Sequence, residues 1–171
     1  MKMGGKQDVV SFGPPVVLLG GFPLSMETDE FADMVADAAP QAWQRGLVVH
    51  RVTANGLDLT VGELLNHTAA AAVKPRSDSS QRANKNGLLG GDVAVWDVPV
   101  LFFSGIENDD IRSISKLIIA ELFEETGQRA AMAKAVPPAI HKLAGQMFEE
   151  IRRDHTEAMA KLTELDSSRR G

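Results

Sequence analysis

The sequence predicts an α/β protein in which two tandem βαβα repeats form one roughly four-stranded sheet, parallel within each repeat and covered by helices. Three observations predict this architecture. Two similar apolar runs, PPVVLLGGF at 14–22 and VPVLFFSGI at 98–106, are each too short for a full helix. An acidic stretch that can start a helix follows each run. The elements after it then recur in the same order, at a nearly constant spacing.

The two apolar runs are typical of strands buried on both faces, because such strands lose the polar alternation of a half-exposed sheet. A proline opens each run. Small pairs close them, at Gly20 and Gly21 in the first and at Ser104 and Gly105 in the second, where the chain can turn without steric cost. Weaker strand patterns follow at LVVHRVTA and at AAMAKAV.

Helical patterns follow the strands of the first half. Ser25 is predicted to cap a helix that Pro40 interrupts, because proline disrupts a helix interior. Asp58 or Thr60 is predicted to cap the next helix, which continues to Val73.

The second half repeats this order. Asn108 or Asp109 is predicted to cap a helix that ends at Gly127. A long C-terminal helix is predicted from about Ile140 to Leu165, with apolar residues on one side and charges on the other.

Matching positions support an internal repeat. Pro99 lies 84 positions after Pro15, and Gly145 lies 83 positions after Gly62. Two strands alone are too few for a stable unit, so the halves are expected to share a sheet. A helical connection between strands implies parallel pairing within each half. The pattern does not determine how the two halves join.

The chain divides into five segments on this basis. Residues 1–13 are predicted to be a flexible N-terminus and 14–73 the first repeat. A flexible linker rich in serine, asparagine and basic residues is expected at 74–92, followed by the second repeat at 93–165 and a tail at 166–171.

Composition narrows the function classes. The formal net charge is −5, so a broad positive surface for nucleic acid is not expected. The absence of cysteine excludes disulfides, thiolate nucleophiles and cysteine-based zinc sites. No apolar stretch approaches the roughly 20 residues that span a bilayer, so no membrane insertion is expected. The prediction is a soluble protein of the cytoplasm, or of the plastid stroma if a targeting peptide has been removed.

The strand followed by Ser-Gly or Gly-Gly and an acidic helix, together with the helix pattern LTVGELL, resembles a small α/β domain of unknown function found in bacteria and plastids. The resemblance covers Pro99 to about His155 and, more loosely, Pro15 to Val73. The chain is also similar to a stromal assembly factor for photosystem I, a plastid relative of this domain. The resemblance implies an assembly role and transfers no catalytic residue.

Anion binding is one alternative. The loops containing Gly20, Gly21, Ser104 and Gly105 lie between a strand and a helix, where backbone N–H groups can hold an anion. Neither loop has the spacing of a dinucleotide or P-loop motif, and nearby acidic residues would repel phosphate. An ordinary turn with a helix cap is the favoured interpretation.

Reactive side chains do not assemble into a motif. Ser104 lacks the first glycine of a nucleophile elbow. The acidic pairs at 109–110 and 124–125 diverge around a helix, so capping and solvation explain them better than shared chemistry. No HxxxH or HxH pair occurs among the histidines, which are His50, His67, His141 and His155. Catalytic, metal and cofactor sites are therefore not predicted.

The last helix carries the candidate interaction surface, formed by Met147, Ile151, Met159 and Leu162. Methionine side chains adapt to varied partners, although core packing is the competing interpretation. The favoured function is a non-enzymatic module for protein interaction or assembly, with a protein partner. The alternatives are a protein that binds a small ligand or phosphate through the strand-to-helix loops, and a self-associating regulatory subunit that forms a homodimer.

Overall fold

A computed structural model describes residues 12–73 and 91–170. In chain order, the first half contains β1 (Val16–Gly20), α1 (Thr28–Ala38), α2 (Pro40–Gln44), β2 (Val48–Arg51), α3 (Ala54–Leu57) and α4 (Val61–Val73). The second half contains β3 (Val100–Ser104), α5 (Asn108–Thr126), β4 (Ala131–Lys134), a 3-10 turn (Pro137–His141) and α6 (Ala144–Arg169). The α/β class, the four-stranded sheet and the long C-terminal helix are confirmed.

The strand order is β2-β1-β3-β4. β1 is parallel to β2, and β3 is parallel to β4. The two central strands are antiparallel, with Val16 opposite Ser104 and Gly20 opposite Val100, so the sheet is mixed. An antiparallel centre places the beginning of each central strand beside the end of the other.

Both central strands are buried along their whole length, as their apolar sequences predict. Alternate residues of a strand point to opposite faces of the sheet, and each face carries its own core. Val17 and Leu19 pack with α1 and α5 in the first core, whereas Val16 and Leu18 pack with α4 and α6 in the second. The sheet is thus enclosed between two helical layers.

The start of α1 differs from the sequence prediction. Glu27, rather than Ser25, occupies the N-cap position and makes no side-chain capping bond. The helix ends at Ala38, and the chain restarts as α2 at Pro40, whose missing N–H costs nothing in a first helical turn. The interruption at this proline is confirmed.

Thr60 makes a reciprocal capping box with Glu63 before α4. The Thr60 N–H donates to Glu63 Oε2 at 2.9 Å, and the Glu63 N–H donates to Thr60 Oγ1 at 3.2 Å. The bond from the Thr60 N–H lowers the pKa of the Glu63 carboxyl, because it stabilises the charged form. The sequence predicted Asp58 or Thr60 as the cap of this helix, and Thr60 is the residue that makes the capping bonds.

In the second half, α5 begins after Glu107 and ends at Gly127, which takes a left-handed φ of 71°. The predicted cap residues Asn108 and Asp109 therefore lie inside the helix. The last helix begins at Ala144 rather than near Ile140, because two prolines hold the preceding residues in the 3-10 turn.

Several boundaries proposed from the sequence extend beyond the described residues. The predicted flexible N-terminus lies outside them except for Phe12 and Gly13, and the predicted linker lies outside them except for 91–92. Val93, where the second repeat is predicted to begin, forms an isolated antiparallel bridge with Thr53. The predicted C-terminal tail is helical as far as Arg169.

Candidate functional site

The first strand-to-helix loop lies against the indole ring of Trp96. Gly21 has a φ of 71°, and its carbonyl accepts a hydrogen bond from the Trp96 N–H at 3.0 Å. A Cβ at Gly21 would lie 2.5 Å from the indole ring, and one at Gly20 would lie 2.7 Å from it. Both glycines therefore allow close approach of an aromatic side chain.

The second loop is covered by the segment that leads into β1. Gly105 has a φ of 63°, and its N–H donates to the Phe12 carbonyl at 2.9 Å. A Cβ at Gly105 would collide with the backbone of Gly13 and Pro14. The antiparallel central pair explains both contacts, because each lead-in segment crosses the end of the other central strand.

These contacts change what the predicted anion loops can do. The Gly105 N–H, which an anion would need as a donor, already donates to Phe12. Gly20 and Gly21 lie beneath Trp96. The structure thus favours a packing role for the four glycine and serine positions at the ends of the central strands.

Arg51 is the charged side chain most closely integrated into the first loop, and the sequence did not reveal this role. Its Nη1 donates to the carbonyls of Phe22 at 3.1 Å and Pro23 at 3.2 Å, and its Nη2 donates to Met26. The guanidinium carbon lies 5.9 Å from the centroid of the Phe31 ring. Burial lowers the pKa of Arg51, whose residue is only 9% exposed.

Arg51 therefore connects the end of β2 to the loop that follows β1 through hydrogen bonds to the backbone of that loop. Guanidinium presents several donors in a fixed plane, which suits a set of carbonyl oxygens held at different positions. The carbonyls are groups that a turn leaves without helix or sheet partners.

Ser104 is fully buried at the end of β3. Its hydroxyl makes no hydrogen bond within the described part of the chain. A nucleophile needs a base within hydrogen-bond reach, and the described residues place none beside this oxygen.

The histidines lie apart in the fold. His50 lies on β2 with Nε2 buried and unpaired among the described residues, and burial lowers its pKa. His67 and His141 are exposed on other elements, and His155 is half-buried on α6. Across 12–73 and 91–170, no group of three or more histidine and acidic residues could hold a metal ion.

The candidate interaction surface on α6 divides into two parts. Met147 is buried in the second core, and Ile151 packs against it. Met159 is half-buried, whereas Leu162 is 59% exposed. Leu165, which the sequence analysis did not single out, is 61% exposed.

Trp96 connects α6 to the first loop. Its ring lies 5.5 Å from the Phe148 ring centroid, and the Arg152 guanidinium lies 4.9 Å from the Trp96 centroid. Arg152 is the last α6 residue of this stack, and we call the part of the helix beyond it, residues 155–169, the outer part of α6.

A groove of about 600 Å³ borders β2 on the opposite edge of the molecule from β4. Its lining is mixed, with Trp43 and Val49 offering apolar surface and Asp29 and Arg45 offering charge. Because the groove carries both an acidic and a basic side chain, its charge does not favour one class of ligand.

Comparisons with protein-family models, with curated proteins and with solved structures found no match to this chain. Among the described residues, no helix is both long and apolar enough to cross a membrane.

Proposed function

We propose that this chain is a non-enzymatic interaction module that binds another protein through the outer part of α6, residues 155–169. The observation that carries the proposal is the placement of Leu162 and Leu165 on a continuous helix, where they are 59% and 61% exposed. The resemblance seen in the sequence extends the proposal to an assembly factor, with photosystem I assembly in a plastid as its setting.

The spacing of the apolar residues on α6 supports helix-in-groove binding. Ile151, Ala158 and Leu165 recur every seven residues, and Leu162 lies between the last two on the same side. A stripe with this spacing presents one face to a partner. Fully burying a leucine is worth about 1.5–3 kcal/mol, so two exposed leucines represent a substantial gain on binding.

The length of the helix favours the same interpretation. With 26 residues, α6 is about 39 Å long at 1.5 Å per residue. Its buried residues, Ala144, Met147 and Phe148, all lie in the first two turns. The second half thus contributes little to the core and leaves a face for a partner.

The proposed module is a tandem repeat, and matching hydrogen bonds support this. The Val48 N–H donates to Pro15 at 3.1 Å, and the Ala131 N–H donates to Pro99 at 2.8 Å. These donors lie 83 positions apart and these acceptors 84, which is the spacing found in the sequence. A duplicated unit with unequal last helices would explain why α6 has 26 residues and α4, within the described part of the chain, has 13.

The test is affinity purification from the source organism with three baits of the full chain. The wild type is compared with a double variant carrying Leu162→Asp and Leu165→Asp. Leu24→Asp is the matched control, since Leu24 is a 68% exposed leucine outside α6. We expect a partner that the wild type and the control retain and the double variant loses at least tenfold.

Circular dichroism is the check that each variant is folded. We expect all of them to fold, because the substituted side chains are exposed. Equal recovery of the same partners by all three baits would contradict the proposal. Loss of the partner in the Leu24→Asp control as well would place the surface elsewhere.

A further inference from the structure

Strand β4 forms one edge of the sheet. Its pairing with β3 uses the Ala131 N–H, which donates to Pro99 at 2.8 Å, and the Ala135 N–H, which donates to Phe103 at 2.8 Å. Neighbouring residues of a strand direct their backbone groups in opposite directions. The N–H and C=O groups of Met132 and Lys134 therefore point away from β3, toward the edge.

Exposed apolar side chains surround this edge. Met132 is 50% exposed on the strand itself, and Val136 is 49% exposed just beyond its end. Natural edge strands are commonly protected by charges, prolines or a covering segment. β4 carries one charge, and its first proline follows only at Pro137.

The opposite edge is less accessible. Every residue of β2 is at least partly buried. Just past its end, Thr53 bridges Val93, and the Ala54 N–H donates to the Asp92 carbonyl at 2.9 Å. Within 12–73 and 91–170, β4 is the edge that presents both open backbone groups and an exposed apolar side chain.

We propose that β4 pairs antiparallel with β4 of a second copy of this chain, extending the sheet across a twofold axis. Met132 of one copy lies opposite Lys134 of the other, and Ala133 faces its own equivalent. Such an edge is self-complementary, because the same two residues supply donors and acceptors on both sides. This interface is separate from the α6 surface and goes beyond the partner binding proposed above.

Charge supports the antiparallel direction. Lys134 Nζ donates to Asn108 Oδ1 at 3.0 Å, so the start of α5 lies beside the end of β4. Acidic residues occur there at Glu107 and Asp110, whereas Arg129 precedes the beginning of β4. A twofold antiparallel pair brings Arg129 of one copy toward the end of β4 of the other, where the two carboxylates of Glu107 and Asp110 outnumber the one ammonium group of Lys134.

Because the chain contains no cysteine, one introduced cysteine reports the geometry without further changes. Residues that face each other without mutual hydrogen bonds in an antiparallel pair have Cα atoms about 4.5 Å apart, which a disulfide can span. We expect full-length Ala133→Cys to form a covalent dimer on mild oxidation at least ten times faster than Leu117→Cys. Leu117 is a matched control that is 42% exposed on α5.

Sedimentation velocity of the cysteine-free chain provides the second measurement. We expect a concentration-dependent dimer whose Kd rises at least tenfold with Met132→Lys, since a lysine protects an edge strand, and stays unchanged with Leu117→Lys. A monomer at every concentration, or a dimer insensitive to Met132→Lys, would overturn the proposal. A dimer lost with Leu162→Asp and retained with Met132→Lys would also overturn it and would assign self-association to α6.

Discussion

Thr60 and Leu143 form an isolated antiparallel bridge that joins the starts of α4 and α6. The Val61 N–H donates to the Lys142 carbonyl at 2.8 Å, and the Ala144 N–H donates to the Leu59 carbonyl at 2.8 Å. Each bond satisfies a donor that the first turn of a helix leaves unpaired. The two helices on this face of the sheet are therefore fastened to each other at their N-termini.

The glycines beside this bridge allow the two chain segments to approach. A Cβ at Gly62 would lie 3.3 Å from the Ile140 carbonyl oxygen, and one at Gly145 would lie 3.3 Å from that of Leu57. We expect Gly62→Val and Gly145→Val each to lower the free energy of unfolding by about 1–3 kcal/mol, through overpacking. Urea denaturation measures both.

The control for these variants is Ala158→Val on the exposed part of α6. It should cost only the difference in helix propensity, about 0.5 kcal/mol. Because the contacts of the two glycines match, the two costs should be similar. A large cost at one glycine and none at the other would contradict the proposed equivalence of the two halves.

The sequence predicted the central strands because burial on both faces leaves a continuous apolar run, as in Val16–Gly20 and Val100–Ser104. It also predicted the end of α5, since Gly127 takes a left-handed φ of 71° that favours glycine. These signals are local, so neighbouring residues suffice to detect them.

The contacts between distant segments could not be predicted. The bridge from Thr60 to Leu143 and the cover of Gly21 by Trp96 both depend on how the halves join, which periodicity does not encode. The different burial of Met147 and Leu162 on α6 could not be predicted for the same reason. Both look alike on one helical stripe, and only the extent of the sheet decides which is buried.

Arg51 should contribute more to stability than any exposed arginine. We expect Arg51→Met to lower the free energy of unfolding by about 2–4 kcal/mol, since the carbonyls of Phe22, Pro23 and Met26 lose a charged donor. Arg45→Met, at an exposed position, should change stability by no more than about 0.5 kcal/mol. Thermal and urea denaturation measure both variants. Equal effects of the two substitutions would show that the Arg51 contacts contribute no more than those of an exposed arginine.

His50 should make stability depend on pH. Burial lowers its pKa, so the unfolded chain binds a proton at a higher pH than the folded chain does. Its contribution is fully present above the ordinary histidine pKa of about 6.5 and is lost as the pH falls below that value. The slope for one proton is at most about 1.4 kcal/mol per pH unit.

Replacing His50 with glutamine should flatten the dependence of unfolding free energy on pH between about 7 and 5, because glutamine does not titrate. His67→Gln is the control, since His67 is exposed on α4. Urea denaturation at a series of pH values measures the slope. An unchanged slope in His50→Gln would show that other groups cause the loss.

Gly21 and Trp96 should be energetically coupled. Gly21→Ala introduces a Cβ 2.5 Å from the indole ring at a residue with a φ of 71°. We expect it to cost more than about 2 kcal/mol in the wild type but only about 1 kcal/mol, the left-handed backbone cost, in a Trp96→Gly background. Glycine is needed there because the Trp96 Cβ itself would lie 2.6 Å from the added atom. Gly46→Ala isolates that backbone cost, because Gly46 has a φ of 100° and a Cβ added there would meet no atom within 4 Å. Additive costs in the double-mutant cycle would mean that the ring does not constrain the loop.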